Sequence, residues 1–320
     1  MVLASLPWYA IALIVVGSLL LAGFIFSFFF TFYVAKQVYE HTLVKRTPDE
    51  WGRVCSAPDN EEQVAMWDEG LEWGKANKEH MHEVQIKSKD GLKLFGEFFD
   101  FGSKETAIIL SGRCECCWYG YYYALPYQKA GCNVLVIDQR AHGLSEGKYS
   151  TAGIKEHEDV MRWMAFLKDK YGQEKFILHC ICVGSSTGLM VATTEFGKEN
   201  VNIIVLDVDY INFKESYKRH YIAKGHALFP VYYEVWFWFR KHAGASANLS
   251  NPLKLIPNVT CPVLFIYSEE DIFSLPKNTS KLIDACTCAK VVRPFAHGKH
   301  SHVRFSNKEE YDRNIIDFVR

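Results

Sequence analysis

The sequence predicts an α/β domain, with helices on both faces of a mostly parallel sheet, preceded by one transmembrane helix. Three observations support this. Six short apolar runs of strand length lie between residues 106 and 295, and helical stretches separate them. Continuous apolar strands that alternate with helices are typical of a parallel sheet buried on both sides. The chain also opens with an uncharged segment long enough to cross a bilayer.

The opening segment contains no charged side chain before Lys36. Its run "WYAIALIVVGSLLLAGFIFSFFFTFYVA" exceeds the ~20 apolar residues that a membrane-spanning helix needs. It lacks the basic start and the small-residue cleavage site of a signal peptide. We therefore predict that residues 1–35 form a transmembrane anchor and that the lipid bilayer is a partner of this chain.

The distribution of basic residues predicts the sidedness of this single-pass protein. Lys36, Lys45 and Arg46 follow the span and no Lys or Arg precedes it, so the positive-inside rule places the larger part of the chain in the cytoplasm. Ten scattered cysteines fit a reducing compartment. Sequons at Asn248 and Asn258, and a third at residue 278, would matter only on the opposite side.

Composition excludes one class of partner. The 320 residues carry 36 Lys and Arg against 37 Asp and Glu, which gives a net charge of −1. A nucleic-acid-binding domain normally has a basic patch or stripe. We therefore expect no nucleic acid among the partners.

The remaining chain divides into a helical connector, residues 36–82, and an α/β domain, residues 83–320. The domain begins with an alternating stretch around a Lys-Asp-Gly turn, which is typical of a β-hairpin. An insertion at about 209–257 interrupts the later strand–helix alternation and contains the aromatic run "LFPVYYEVWFWF". The six predicted strands follow the hairpin, at residues 106–112, 133–138, 175–181, 202–208, 262–268 and 289–295.

The stretch "HCICVGSSTG" (179–188) follows a predicted strand and can be read in two frames. The literal pattern G-x-S-x-G, which marks a nucleophile at a sharp strand-to-helix turn, puts Ser186 at the centre. Moving back four residues puts Cys182 there. A strand of ordinary length that begins at Lys175 ends near Ile181, which favours Cys182 at the turn. Ser186 remains the alternative nucleophile.

Three segments together resemble the α/β-hydrolase superfamily, particularly its membrane-anchored bacterial branch related to serine aminopeptidases and monoacylglycerol lipases. They are "DQRAHGLSEG" (138–147), "STAGIKEHEDVMRWMAFLKDKYG" after it, and the 179–188 stretch. The resemblance covers about residues 83–320 and implies an α/β-hydrolase fold with a lid insertion. It aligns Cys182 with the family's Ser. Cys180 replaces the first Gly of that motif, and Ser111 replaces a His.

The resemblance also implies the remaining site residues. Asp271, after the strand "PVLFIYS", would be the acid, and His300, eleven residues before a Tyr of the closing helix, would be the base. The backbone amides of Arg113 and Val183 would form the oxyanion hole. The thiols of "RCECC" (113–117) would line the pocket floor. His300 and two neighbouring histidines could also suggest a metal cluster, but no partner motif supports it, and we expect no metal or cofactor.

These inferences predict a membrane-anchored hydrolase that cleaves a small-molecule or acyl substrate, as an ester, thioester or amide, through a Cys-His-Asp triad. A thiol at a helix N-terminus suits this chemistry because the helix dipole favours the thiolate, which is a strong nucleophile. A peptidase would use the same site on another substrate. The alternative from a different class is a pseudo-hydrolase, a binding or scaffold protein that keeps the fold with little turnover.

Overall fold

One mostly parallel sheet organises the protein in the computed structural model, which describes residues 7–320. The strands of the described part are β1 (Met81–Lys87), β2 (Lys93–Phe99), β3 (Glu105–Leu110), β4 (Asn133–Ile137), β5 (Lys175–Ile181), β6 (Val201–Asp207), β7 (Val263–Ser268) and β8 (Lys290–Phe295). Their spatial order is β1-β2-β4-β3-β5-β6-β7-β8. The β1–β2 and β2–β4 pairs are antiparallel and all later pairs are parallel. The predicted hairpin and mostly parallel sheet are confirmed.

Helices occupy both faces of this sheet and the segments around it. The described helices are α1 (Trp8–Leu43), α2 (Glu61–Ala76), α3 (Cys117–Tyr122), α4 (Ala124–Ala130), α5 (Glu156–Tyr171), α6 (Val183–Ala192), α7 (Glu195–Asn200), α8 (Phe213–Ala223), α9 (Val231–Ala243), α10 (Pro252–Leu255), α11 (Pro276–Ala285), α12 (Val303–Ser306) and α13 (Lys308–Val319).

Strand β5 shows why the sheet needs helices on both faces. Successive side chains of a strand point to opposite sides. Phe176 and Leu178 join the buried cluster under α5, α6 and α11, whereas Ile177 and Ile181 join the cluster under α3, α4 and α13. All four are essentially inaccessible to solvent. The continuous apolar runs of the sequence therefore correspond to strands that helices cover on both faces.

Helix α1 does not end at the predicted boundary of residue 35. It continues without interruption to Leu43, and the buried residues of its last turns, Ala35, Tyr39 and Leu43, belong to the core of the α/β domain. Val44 then forms a β-bridge to Tyr149. The earlier part is exposed along its length, and its most apolar 18-residue window has a mean hydropathy of 2.6. Length and composition make α1 a candidate membrane span.

The insertion between β6 and β7 contains α8, α9 and α10. Tyr232, Val235 and Phe239 form the buried face of α9, whereas Tyr233 and Phe237 are exposed. The aromatic run of the sequence thus forms a helix with a buried side and an exposed side. The exposed side lies next to α1, since the Phe32 and Phe237 rings have centroids 5.1 Å apart.

Candidate active site

The turn between β5 and α6 places the Cys182 thiol at the carboxyl end of the central strand. Cys182 has φ 50° and ψ −110°, a backbone conformation that non-glycine residues rarely adopt and that stores strain. The following helix starts directly against the sheet. A Cβ on Gly184 would lie 2.2 Å from the carbonyl oxygen of Leu110 at the end of β3. Only glycine at position 184 allows this close approach.

Cys180 occupies the position where the resembled motif has its first glycine, and the structure accommodates its side chain. Cys180 is fully buried, and its Sγ lies over Gly188 of α6. A Cβ added to Gly188 would lie 2.2 Å from that sulfur. A glycine at position 180 would leave room for the helix. Here the glycine at position 188 of the helix leaves room for the Cys180 side chain instead. The departure at Cys180 does not disrupt the turn that carries Cys182.

Three side chains predicted from the sequence come together at this turn. His300 Nε2 lies 3.3 Å from Cys182 Sγ, and His300 Nδ1 lies 2.8 Å from Asp271 Oδ2. The other carboxylate oxygen of Asp271 accepts hydrogen bonds of 2.8 Å from the backbone N–H groups of Phe273 and Ser274. Asp271 is 2 % exposed. The carboxylate is thus fixed, and it orients the imidazole toward the thiol.

The charges of this group reinforce one another. Burial lowers the pKa of His300, but the neighbouring Cys182 and the hydrogen-bonded Asp271 outweigh it and raise that pKa well above its usual value. Burial raises the pKa of Asp271, but the hydrogen bond and charge of His300, with the two backbone amides, bring it below its usual value. The geometry therefore favours an imidazolium beside the sulfur of Cys182.

The alternative nucleophile Ser186 lies away from this group. It is fully buried inside α6, and its hydroxyl accepts a hydrogen bond of 2.8 Å from Ser250 Oγ. Ser186 does not line the cavity that contains Cys182 and His300. The literal G-x-S-x-G frame therefore puts its serine one turn into the helix, where the hydroxyl has a structural partner.

The three histidines near the C-terminus have separate partners. His297 Nδ1 lies 2.9 Å from Glu270 on the surface. His302 lies between Glu62, at 2.7 Å, and Gln63, at 2.8 Å, both on α2. Only His300 points to Cys182. The close spacing in the sequence does not produce a common site.

The predicted oxyanion-hole amides both border the cavity. Val183 is the first residue of α6, so its N–H has no partner within the helix. Arg113 lies in the loop after β3, and its side chain donates a hydrogen bond of 2.9 Å to the carbonyl oxygen of Thr42 on α1. Both residues line the same cavity as Cys182. Within the described residues, neither backbone N–H has an intramolecular acceptor.

Glu115 was not anticipated, and the structure places it where the "RCECC" thiols were expected. It lines the cavity, and its Oε2 accepts a hydrogen bond of 2.7 Å from the backbone N–H of Gly112. Burial raises its pKa to about 7, although that amide and the charge of His300 oppose the change. Cys116 and Cys117 instead pack in the core. The only sequence signal for Glu115 was its place two residues after Arg113.

The cavity over Cys182 has a volume of about 490 Å³, within the range of small-molecule sites. Helix α8 forms one wall, and the last turns of α1 form another. The aromatic run of α9 is not part of the lining. The walls include Gln37, Val38, His41 and Thr42 from α1, and Phe213, Tyr217 and His220 from α8.

His220 is a further group near the base that the sequence did not indicate. Its ring stacks on Phe273 with centroids 4.1 Å apart and lies 5.8 Å from the ring of His300. Burial lowers its pKa to about 4, although the Ser216 carbonyl opposes the change. His220 is therefore neutral at pH 7 and adds no charge that would compete with His300.

Comparisons with known proteins agree with this architecture. No family model matches the chain. It is 25% identical over 219 residues to the uncharacterized protein YqkD of Bacillus subtilis (strain 168), covering 67% of this chain and 70% of that one. It is 22% identical over 200 residues to the lysophosphatidylserine lipase ABHD12 of Danio rerio, covering 59% of this chain and 51% of that one.

Solved structures give the fold. The Pyrococcus furiosus esterase Pf2001 is similar with a TM-score of 0.64 at 23% identity, covering 77% of this chain and 92% of that one. An alpha-beta hydrolase from Vibrio vulnificus is similar with a TM-score of 0.60 at 16% identity, covering 89% and 92%. The chain therefore has the α/β-hydrolase fold.

Proposed function

We propose that this protein is a membrane-anchored hydrolase that cleaves an acyl ester, thioester or amide through Cys182, His300 and Asp271. The observation that carries the proposal is the continuous contact from Sγ through the imidazole to the carboxylate, 3.3 Å and 2.8 Å. A chain that had only kept the fold would have no physical need to hold this buried acid against a histidine that points at a strained cysteine.

In the proposed first step, Cys182 Sγ attacks the substrate carbonyl carbon as a thiolate, its proton having passed to His300 Nε2. The negative charge that develops on the carbonyl oxygen is stabilised by the backbone N–H groups of Val183 and Arg113. The tetrahedral intermediate then collapses, and the bond to the leaving group breaks. His300 returns its proton to that alcohol, thiol or amine.

The second step removes the acyl group from the sulfur. His300 accepts a proton from a water molecule, which attacks the thioester carbonyl, and the same two amides hold the oxyanion. Collapse of this intermediate releases the carboxylic acid and returns Cys182. Asp271 orients His300 and stabilises its positive charge in both steps, because its second oxygen is already held by two backbone amides.

An acyl chain is the substrate class that the cavity fits best. Most of the accessible surface of its lining is apolar, and Val38, Phe213 and Tyr217 are among the residues that line it. The similarity to an esterase and to a lysophosphatidylserine lipase agrees with hydrolysis of carboxylic esters. We assign the α8–α9 segment the role of a lid, because α8 closes one side of the cavity.

Helix α1 supports the membrane part of the proposal. The 21 residues from Trp8 to Phe28 span about 30 Å at 1.5 Å per residue, which is the thickness of a hydrocarbon core. Because basic residues follow this segment, we expect the α/β domain to lie in the cytoplasm. Because the last turns of the same helix line the cavity, an acyl substrate would reach the site close to the bilayer.

The test is hydrolysis of p-nitrophenyl esters of graded acyl length by the full chain and four variants. His300→Ala should lower the rate about 10²- to 10⁴-fold, because it removes the general base and acid. Cys182→Ala should abolish acyl-enzyme formation, and Asp271→Asn should cost less than His300→Ala. His297→Ala is the matched control, since that histidine is exposed and its imidazole contacts Glu270 on the surface.

Each variant is checked for folding by thermal melting before its rate is compared. Losses at Cys182 and His300 with an active His297→Ala chain support the triad. Equal residual rates in all four variants would show that the turnover is not triad chemistry. The pseudo-hydrolase alternative would then replace the proposal.

A further inference from the structure

Helix α9 lies beside the proposed membrane span and presents an exposed aromatic stripe. Phe229, Tyr233 and Phe237 are 82%, 60% and 55% exposed, and the last two are separated by one helical turn. Such a row of large aromatic side chains is unusual on a surface that faces only water. We call these three residues the aromatic stripe.

Contacts between the two helices fix their relative direction. Thr31 Oγ1 donates a hydrogen bond of 3.1 Å to Glu234, and Tyr39 stacks on His242 with ring centroids 5.5 Å apart. Between these two contacts, the indole N–H of Trp238 donates to the carbonyl oxygen of Phe32 at 3.3 Å. Residue numbers therefore rise together along α1 and α9. The helices are parallel, and the N-terminal end of α9 points toward the apolar half of α1.

This direction places the aromatic stripe at the end of the hydrocarbon core. If Trp8 marks one interface, a core of about 30 Å ends near Phe28. Glu234 is level with Thr31, so Tyr233 lies close to that boundary. Aromatic side chains are enriched at this depth of a bilayer.

Basic side chains lie on the other side of the stripe, away from the core. Lys36 and Lys241 stand over the Trp238 ring at 5.6 and 5.0 Å, and Arg240 is exposed one turn after the stripe. Within residues 7–320, Arg240 and Lys241 form no ion pair with a carboxylate, so both charges are available. Lipid phosphates lie at this level, and an anionic surface attracts Lys and Arg side chains that lie near it.

We propose that the exposed face of α9 is a second membrane-contact surface, in which the aromatic stripe enters the boundary of an anionic bilayer and Arg240 and Lys241 bind its headgroups. The inference rests on the proposed membrane span of α1 and is independent of the triad chemistry. This contact holds the α8–α9 segment against the bilayer. The cavity that α8 borders therefore lies next to the lipid.

The test is photo-crosslinking of the full chain in vesicles of phosphatidylcholine and phosphatidylglycerol. A benzophenone amino acid replaces one residue at a time, and lipid adducts are counted by mass spectrometry. Tyr233 and Phe237 report on α9. Phe26, which is 72% exposed on α1, reports on the span. Phe305, 40% exposed on α12, is the matched aromatic control.

Adducts at positions 26, 233 and 237 that exceed those at 305 several-fold support the inference. Adducts at 26 without adducts at 233 and 237 overturn it and leave the span intact. Absence of adducts at 26 overturns both the span and the inference. Equal yields at 233 and 305 also overturn it, because the contact would then be non-specific. Replacement of Arg240 and Lys241 by Gln should lower the share of phosphatidylglycerol in the adducts at 237, and an unchanged share would contradict the headgroup contact.

Discussion

The packing of Cys180 against Gly188 explains how the fold accommodates a thiol at this position of β5. A double-mutant cycle of these two residues measures the energy of that contact. In Gly188→Ala the new Cβ would lie 2.2 Å from Cys180 Sγ, well inside contact distance. Overpacking of this kind costs about 3 kcal/mol at the upper end of its usual range, and the helix propensity of Ala returns about 1. The net loss should be about 2 kcal/mol.

Cys180→Ala removes the sulfur and leaves a small cavity, which should cost about 1 kcal/mol. In the double variant the new Cβ of residue 188 fills that space, because its distance to the Cβ of residue 180 is 3.7 Å, an ordinary contact. The loss of the sulfur and the gain in helix propensity then cancel, so the double variant should be about as stable as the wild type. The coupling energy is therefore about 3 kcal/mol.

The assay is thermal unfolding of the four chains in one detergent. For a domain of this size, 1 kcal/mol shifts Tm by about 2–4 °C, so Gly188→Ala should melt about 4–8 °C below the wild type. The double variant should recover most of that difference. A double variant that melts as low as Gly188→Ala would refute the reasoning, because the destabilisation would then not come from contact with the sulfur.

Two further predictions concern the titratable groups. Cys182 should be alkylated at neutral pH faster than Cys261 and Cys288, because burial raises the pKa of each of those two thiols to about 12. Peptide mass spectrometry measures the labelling, and faster labelling of Cys261 or Cys288 would contradict the assignment of Cys182 as nucleophile. Glu115 should make the protein less stable as pH rises from about 4.5 to about 7, because burial raises its folded-state pKa and the fold therefore favours its protonated form. The lowered pKa of His220 acts in the opposite direction, and it does so equally in the wild type and in Glu115→Gln. Glu115→Gln should therefore lose less Tm over this pH range than the wild type. Asp209, whose pKa burial also raises to about 7, acts equally in both chains. Identical pH profiles of Tm would show that Glu115 makes no such contribution.

Local sequence patterns determined much of the fold. The six predicted strands agree with β3–β8 within one or two residues. A strand buried on both faces, as β3–β7 are, must be a continuous apolar run, whereas β8 lies at the edge of the sheet and is partly exposed. The Lys-Asp-Gly turn gave the β1–β2 hairpin for a similar reason, since a tight turn is specified by its own residues. The length of β5 favoured the frame with Cys182 at the turn, and the family resemblance aligned the same residue. These properties are local, so they can be read along the chain.

Tertiary structure decided what depends on contacts between distant residues. The predicted boundary between the anchor and the connector, residue 35, lies within α1. The helix continues past it, and only its environment changes there, from exposed surface to the core of the α/β domain. Only the fold brings Glu115 rather than the neighbouring thiols to the cavity. Only the fold gives His297 and His302 partners away from His300. The space for Cys180 is provided by a residue eight positions later on another element. No periodicity encodes such pairs, because they exist only when the sheet and helices are packed together.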